Sequence, residues 1–387
     1  MKRTLLTIGL IVSLLNSYAC MRKGGPNVND DSGPIRVGVY MDLTGNTAGF
    51  GKSTTNGIEL AADEINAAGG VNGRQVKLLV EDDQGRPEQA KTVVSKLISQ
   101  DHVHAVLGEV ASSNSLAAAP VSQENKVPMI SPSSTNPKVT QTGDYIFRVC
   151  FIDPFQGAVM AKFAANTLKA KTAAVFGDVN SDYSKGLTEF FEREFNKLGG
   201  TVIRKETYTQ QDPDFKAQLT NIRAANPDVI YIPGYYGQVG IIAKQARELG
   251  INKPLMGGDG WDNPELWNLG GEALKNTFIS NHYSVDDPSP AIQKFVTAYK
   301  AKYKGVAPDS LAALGYDAMY VLADAIKRAG TTESVKVRDA IAATKNFLGV
   351  TGSITINKDR DSVKPAVVLE LDPAGRKYNY RETVQPE

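Results

Sequence analysis

The chain is expected to be α/β, with two doubly wound parallel-sheet domains sharing a hinge. Three observations lead there. Strand-like and helix-like segments alternate with short connections from Ile35 to Ile130, the pattern of a parallel sheet covered by helices on both faces. The alternation restarts after Asp153, and a second run implies a second sheet. A length of 387 residues with 42% apolar residues supplies about two cores of ordinary size.

The elements follow in order. Ile35–Met41 reads as a strand, Ser53–Ala67 as a helix, Gln75–Glu81 as a strand and Pro87–Ser99 as a helix. Ala105–Leu107 and Val127–Ile130 are short strands on either side of a helix at Asn114–Glu124. The second run has helices at Phe155–Leu168, Ser184–Leu198, Asp214–Ala224 and Gln238–Leu249. Its strands are Thr172–Phe176, Thr201–Tyr208, Asp228–Ile232 and Pro254–Met256. Three helices follow His282, at Pro290–Tyr303, Leu311–Ala329 and Glu333–Thr344, and then strands at Gly352–Ile356 and Ala366–Leu371. Helices without strands cannot build a third sheet, so they are expected on the first domain and the last strands on the second. Residues 35–152 with 283–352 would form one lobe, and 153–282 with 353–387 the other. A chain that crosses repeatedly makes a hinge, and a hinged cleft fits binding by closure.

The N-terminus differs. Lys2 and Arg3 precede an apolar run from Leu5 to Leu15, followed by small and polar residues up to Ala19. That is the pattern of an export signal over residues 1–19, and the run is too short to span a bilayer. Cys20 stands where bacterial lipoprotein signals place the lipid-accepting cysteine; Ala19 fits that pattern, Ser17 and Tyr18 do not. An unpaired cysteine at an export junction favours lipidation over a free thiol. Residues 20–34, rich in Gly, Pro and polar side chains, read as a tether. The chain is thus expected in the periplasm or cell envelope, touching the membrane only through a lipid on Cys20. Cys150, in apolar surroundings, reads as a small buried hydrophobe.

Several function classes are disfavoured. Lys and Arg total 43 against 42 Asp and Glu, which lacks the basic excess of a nucleic-acid binder. The stretch Gly45 to Ser53 invites a phosphate-loop reading, but Asn46 stands where that loop needs its first glycine. His102 and His104 have no acid or cysteine at metal-ligand spacing. Asp259-Gly-Trp-Asp262 begins like a calcium loop but lacks the remaining ligands and the closing Glu. No nucleophile is paired with a base, so neither an enzyme, a cofactor nor a metal is expected.

Three strand-end stretches carry more. Ser112 and Ser113 fall at a helix N-terminus, where backbone N–H groups and the helix dipole favour an anion, although an ordinary N-cap reading also fits. Ser133, Ser134 and Thr135 follow the next strand on the same sheet edge. The second domain places Tyr183, Tyr235 and Gly257-Gly-Asp-Gly-Trp-Asp-Asn263 at matching strand ends.

At this point the chain resembles the periplasmic solute-binding proteins of branched-chain amino acid ABC transporters, the leucine/isoleucine/valine type. The landmarks run in order: Gly57 to Gly73 (Gly-Ile-Glu-Leu-Ala-Ala-Asp-Glu-Ile-Asn-Ala-Ala-Gly-Gly-Val-Asn-Gly), Glu81-Asp-Asp, Ile130-Ser-Pro, Thr135-Asn-Pro, Phe147-Arg148, Tyr235, Gly257-Gly-Asp-Gly260 and Lys364-Pro-Ala-Val-Val368. The resemblance implies a type I periplasmic binding protein fold, two lobes joined by three crossings. It places the carboxylate-binding serine on Ser112, and the loop holding carboxylate and ammonium on Ser133 and Thr135. The acid that pairs with the ammonium falls on Asp259, the second-lobe aromatics on Tyr183 and Tyr235, and a first-lobe aromatic on Phe50. Trp261, close behind Asp259, is expected on the pocket wall, and Asp262 and Asn263 are expected to cap the next helix. Some members carry a disulfide where this chain has Gly85 and Ala111, and the best-known members carry Glu where it has Asp259. The implied activity is capture of an amino acid by hinge closure and delivery to an ABC permease, by a monomer. A ligand-sensing module of the same fold, or a binder of amides or aromatic acids, is the alternative. The chemistry agrees with an amino acid: its carboxylate wants N–H and hydroxyl donors, its ammonium wants a carboxylate, and neither charge is buried cheaply alone.

Overall fold

The computed structural model describes residues 33–386; the export signal, Cys20 and nearly all of the tether lie outside them. The first lobe opens with β1 (Ile35–Met41), α1 (Ala48–Ala67), β2 (Val76–Asp82), α2 (Pro87–Ser99), β3 (Ala105–Leu107) and α3 (Ser112–Glu124). It continues with β4 (Met129–Ser131), the short α4 (Lys138–Gln141) and β5 (Ile146–Arg148). The strands pair in parallel in the order β2-β1-β3-β4-β5. β1 lies inside the sheet between β2 and β3 and is buried at every position but Arg36, as a strand covered by helices on both faces requires.

The second lobe contains α5 (Asp153–Lys162), β6 (Thr172–Asp178), α6 (Asp182–Lys197), β7 (Thr201–Tyr208), α7 (Lys216–Ala225), β8 (Val229–Tyr231) and α8 (Tyr236–Glu248). β9 (Leu255–Gly257), α9 (Glu265–Gly270) and β10 (Thr277–Asn281) follow. The chain then returns to the first lobe with α10 (Pro290–Lys302), α11 (Ser310–Ala329) and α12 (Ser334–Ala342). β11 (Phe347–Gly349), β12 (Gly352–Ile356), β13 (Ser362–Val363), β14 (Ala366–Asp372) and β15 (Lys377–Val384) complete it. The second sheet has the order β15-β14-β10-β9-β8-β6-β7, parallel except for the β14–β15 hairpin at one edge.

The three C-terminal helices pack as expected, with α11 lying along α1. Reciprocal glycines allow the approach: a Cβ on Gly57 would strike the Ala312 carbonyl, and one on Gly315 the Thr54 carbonyl. Three differences from the sequence reading have physical reasons. α1 starts at Ala48 rather than Ser53, because Asp42 caps the glycine-rich stretch by accepting from the Thr47 N–H at 2.8 Å and its hydroxyl at 2.7 Å. β10 went unread; it is a five-residue strand, fully buried, with polar residues at both ends. β12 does not join the second sheet but pairs with β11 and β13 in a small separate one. The chain crosses between lobes at 149–152, after β10 and before β14.

Candidate ligand-binding cleft

A narrow cavity of about 10 Å³ lies between the lobes, walled by Phe50, Val110, Ser133, Tyr183, Tyr235, Asp259, Gly260 and Leu311. All but Leu311 follow the C-terminal end of a parallel strand, the edge at which open α/β sheets hold ligands.

One side is polar. Asp259 opens a short 3₁₀ turn after β9. Its Oδ1 accepts from the Tyr183 hydroxyl at 2.9 Å, its Oδ2 meets His282 Nε2 at 3.0 Å, and its N–H donates to Gln156 Oε1 at 2.8 Å. The Gly260 N–H donates to the Tyr183 hydroxyl at 3.1 Å, which fixes that hydroxyl's proton toward Asp259. Burial, with the Asp259 charge adding to it, holds the Tyr183 phenol well above its usual range, so it remains a donor. The glycines before Asp259 make room: a Cβ on Gly258 would lie 2.5 Å from the Tyr183 oxygen. Across the cavity, Ser133 Oγ is buried without a hydrogen-bond partner among the described residues. A buried hydroxyl of that kind calls for a ligand or water to satisfy it.

The other side is apolar. Phe50 meets Tyr235 edge-on at 5.8 Å between centroids, Tyr235 stacks on Tyr183 at 5.1 Å, and Val110 and Leu311 close the wall.

Contacts across the mouth hold the lobes together. The Ser113 hydroxyl donates to Asp182 Oδ2 at 2.9 Å and accepts from the Asp182 N–H at 3.0 Å. Asn136 Nδ2 donates to the Asp182 carbonyl at 2.8 Å, and the Gly49 N–H to the Tyr236 hydroxyl at 3.2 Å. Beneath the hydroxyl loop, buried Arg148 donates to the carbonyls of Ser134 and Asn136, and its Nε is 2.7 Å from Asp361.

Of the residues expected here, Phe50, Ser133, Tyr183, Tyr235 and Asp259 line the cavity together. Ser112 and Thr135 sit just behind the wall: Ser112 Oγ accepts from the Asn136 N–H at 3.3 Å, and the Thr135 carbonyl from the Asp153 N–H at 3.0 Å. Ser112 does open α3, and the preceding Ala111 offers no side-chain cap to the first-turn N–H groups. Trp261 requires a correction. It is not on the wall; its indole packs under Gly257 and donates to the Ile232 carbonyl at 3.0 Å, as a core residue. Asp262 does not cap the next helix either. Its Oδ2 accepts from Asn281 Nδ2 at 2.8 Å and from the Ser310 N–H at 2.9 Å, tying the second lobe to the start of α11. Asn263 does cap, accepting the Glu265 N–H at 3.0 Å.

Sequence reading missed Val110, Leu311, Gln156 and His282. Asp153 was also passed over: burial pushes its carboxyl up to about 8. His282 directly follows β10, where the chain leaves the second lobe.

The comparisons with known proteins agree with this geometry. The family model described as periplasmic binding protein matches residues 34–376. A leucine-binding protein, LivK, from Thermotoga maritima is 43% identical, with a TM-score of 0.87 over 91% of this chain and 99% of the other. LivJ of Streptococcus pneumoniae, a branched-chain amino acid transporter substrate-binding protein solved with isoleucine, is 35% identical, with a TM-score of 0.86 over 91% and 100%. A solute-binding protein of an ABC transporter from Rhodopseudomonas palustris, solved with 3,4-dihydroxybenzoic acid, is 25% identical, with a TM-score of 0.82 over 91% and 97%. With its two α/β lobes, its three crossings and its cleft, this chain belongs to the periplasmic binding protein family.

Proposed function

We propose that the protein captures an amino acid with a branched, apolar side chain and delivers it to an ABC permease. The observation that carries this reading is Asp259, an acid in the wall of a small interlobe cavity with no cation of the protein on it other than a histidine that burial keeps neutral. A carboxylate so placed wants a cation, and the ligand's ammonium supplies one. The ligand's carboxylate would lie toward Ser133 and the N-terminus of α3, and its side chain against Phe50, Val110, Tyr235 and Leu311. An aromatic acid carrying only a carboxylate would leave Asp259 unpaired and set two negative charges in one small cavity. That argues against the aromatic-acid alternative despite the Rhodopseudomonas relative.

Calorimetric titration with L-leucine, L-isoleucine, L-valine and 3,4-dihydroxybenzoate tests the reading. Binding is expected for at least one of the three amino acids and not for the benzoate. Asp259→Ala is expected to weaken amino-acid binding by about a hundredfold or more, since an unpaired buried charge costs roughly 3–5 kcal/mol. Benzoate binding by the wild type, or unchanged amino-acid affinity in Asp259→Ala, would sink it.

A further inference from the structure

His282 stands where three parts of the molecule meet. Its Nε2 is 3.0 Å from Asp259 Oδ2, on the cavity wall. Its ring stacks on Phe151 at 3.8 Å between centroids with planes 19° apart, and Phe151 belongs to the first crossing. His282 itself begins the second crossing, and Lys364, just before β14 in the third, is close enough to act on it electrostatically. The imidazole is buried, and its Nδ1 has no hydrogen-bond partner among the described residues.

We propose that His282 is the positioning residue for ligand ammonium: its neutral ring donates from Nε2 to Asp259 Oδ2 and ties that carboxylate to the hinge. The role rests on the assignment of Asp259 as the ammonium partner. A carboxylate only accepts, so the proton of a neutral ring belongs on Nε2. A second ring proton would sit on Nδ1, facing no acceptor among the described residues. Burial lowers the imidazole's proton affinity in the same direction; Asp259 and Asp262 oppose that, and Lys364 adds to it. Tyr183 holds the other carboxylate oxygen, so both oxygens are fixed while each keeps a lone pair for the ligand. A rigidly held carboxylate loses less entropy on binding than a free one. Protonation of His282 would reverse the arrangement, because an imidazolium would compete with the ammonium for the same carboxylate.

The test compares the wild type with His282→Phe, which keeps a ring to stack on Phe151 but has no donor, and with His282→Gln, which keeps an N–H donor but cannot be protonated. Titration with L-leucine, L-isoleucine and L-valine at pH 7.5 is expected to show a loss of about tenfold to a hundredfold in His282→Phe. His282→Gln is expected within about threefold of wild type, because a neutral donor is restored. A second arm repeats the titration from pH 7.5 to 5. Wild-type affinity is expected to fall toward acid and His282→Gln to hold constant; this arm decides if His282→Phe fails to fold. Equal losses in both variants, or parallel pH profiles, assign His282 a structural part only and overturn the proposal. Wild-type affinity in His282→Phe alongside weakened binding in Asp259→Ala overturns the proposal while leaving Asp259 as the ammonium partner. A wild type that binds none of the three amino acids overturns the ligand assignment, and this role with it.

Discussion

Asp83, Glu109, Asp153 and Asp309 are carboxyls enclosed by the fold, with no ion pair to a basic side chain among the described residues. Burial pushes Asp83 and Asp309 up to about 7 and Asp153 up to about 8, and it raises Glu109 as well, with the nearby Asp83 adding to the effect. An unfolded carboxyl titrates near about 4, so the folded chain holds these protons more tightly than the unfolded one. The contribution is therefore complete below about pH 4 and is lost as pH rises from there through 7 to 8. His282 works the other way below its ordinary range of about 6.5, and Lys364, which burial lowers to about 8, does so only at the upper end of the range. The ligand-free protein is expected to melt at a lower temperature at pH 8 than at pH 5, and Asp83→Asn to show a shallower slope. Calorimetric scans across that range check both; identical slopes in the two proteins would exclude Asp83 as a source. At this scale the sequence was readable where a residue has one available task. Asp259, Tyr183, Tyr235, Ser133 and Phe50 meet at the cavity because each follows a strand end, or opens a helix there. Trp261 was misread and His282 passed over because neighbours far along the chain, Ile232 and Phe151, decide which way their rings point.

Elements were readable wherever periodicity was long. α2, β3 and β7 occupy their expected spans without change, and most helices differ by only a residue or two at an end. Short buried segments such as β5 and β10 carry no period to read. Glycine misled at the start of α1, because its low helix propensity reads as loop, while Gly51 is needed there for close approach to the Asp42 carbonyl. The α1–α11 contact gives a prediction with a sign opposite to propensity. Alanine normally favours a helix interior over glycine by about 1 kcal/mol. Gly315→Ala should nevertheless destabilise the protein by roughly 1–3 kcal/mol, since its methyl group meets the Thr54 carbonyl and must push α11 away from α1. Urea unfolding measures it, and a variant as stable as wild type would mean that the helices part without strain. Leucine affinity should fall too, because Phe50 on α1 and Leu311 on α11 both line the cavity.

At the scale of the whole molecule, two runs of alternating elements were enough to give two sheets, since parallel strands need helical crossovers. Which sheet the C-terminal strands join was less readable: β14 extends the second sheet, while β12, of similar composition, pairs with β11 and β13. Sheet membership depends on which edge the hinge presents, and local sequence does not encode that. The lobes meet at the cleft mouth through few contacts, among them the reciprocal pair between Ser113 and Asp182. Neither residue lines the cavity, so this pair can act on binding only by favouring the closed arrangement over an open one. Asp182→Ala removes the side-chain acceptor while leaving the Asn136 bond to the backbone carbonyl available. Losing one such bond shifts closure by about 0.5–1.5 kcal/mol, which weakens ligand binding roughly two- to tenfold. The ligand enters an open cleft and leaves only after opening, so the change should fall on the dissociation rate and spare the association rate. Stopped-flow release of leucine separates the two. Faster release with unchanged association and an unchanged ligand-free melting temperature is the expected result, and slower association with unchanged release would place Asp182 in ligand entry rather than in closure.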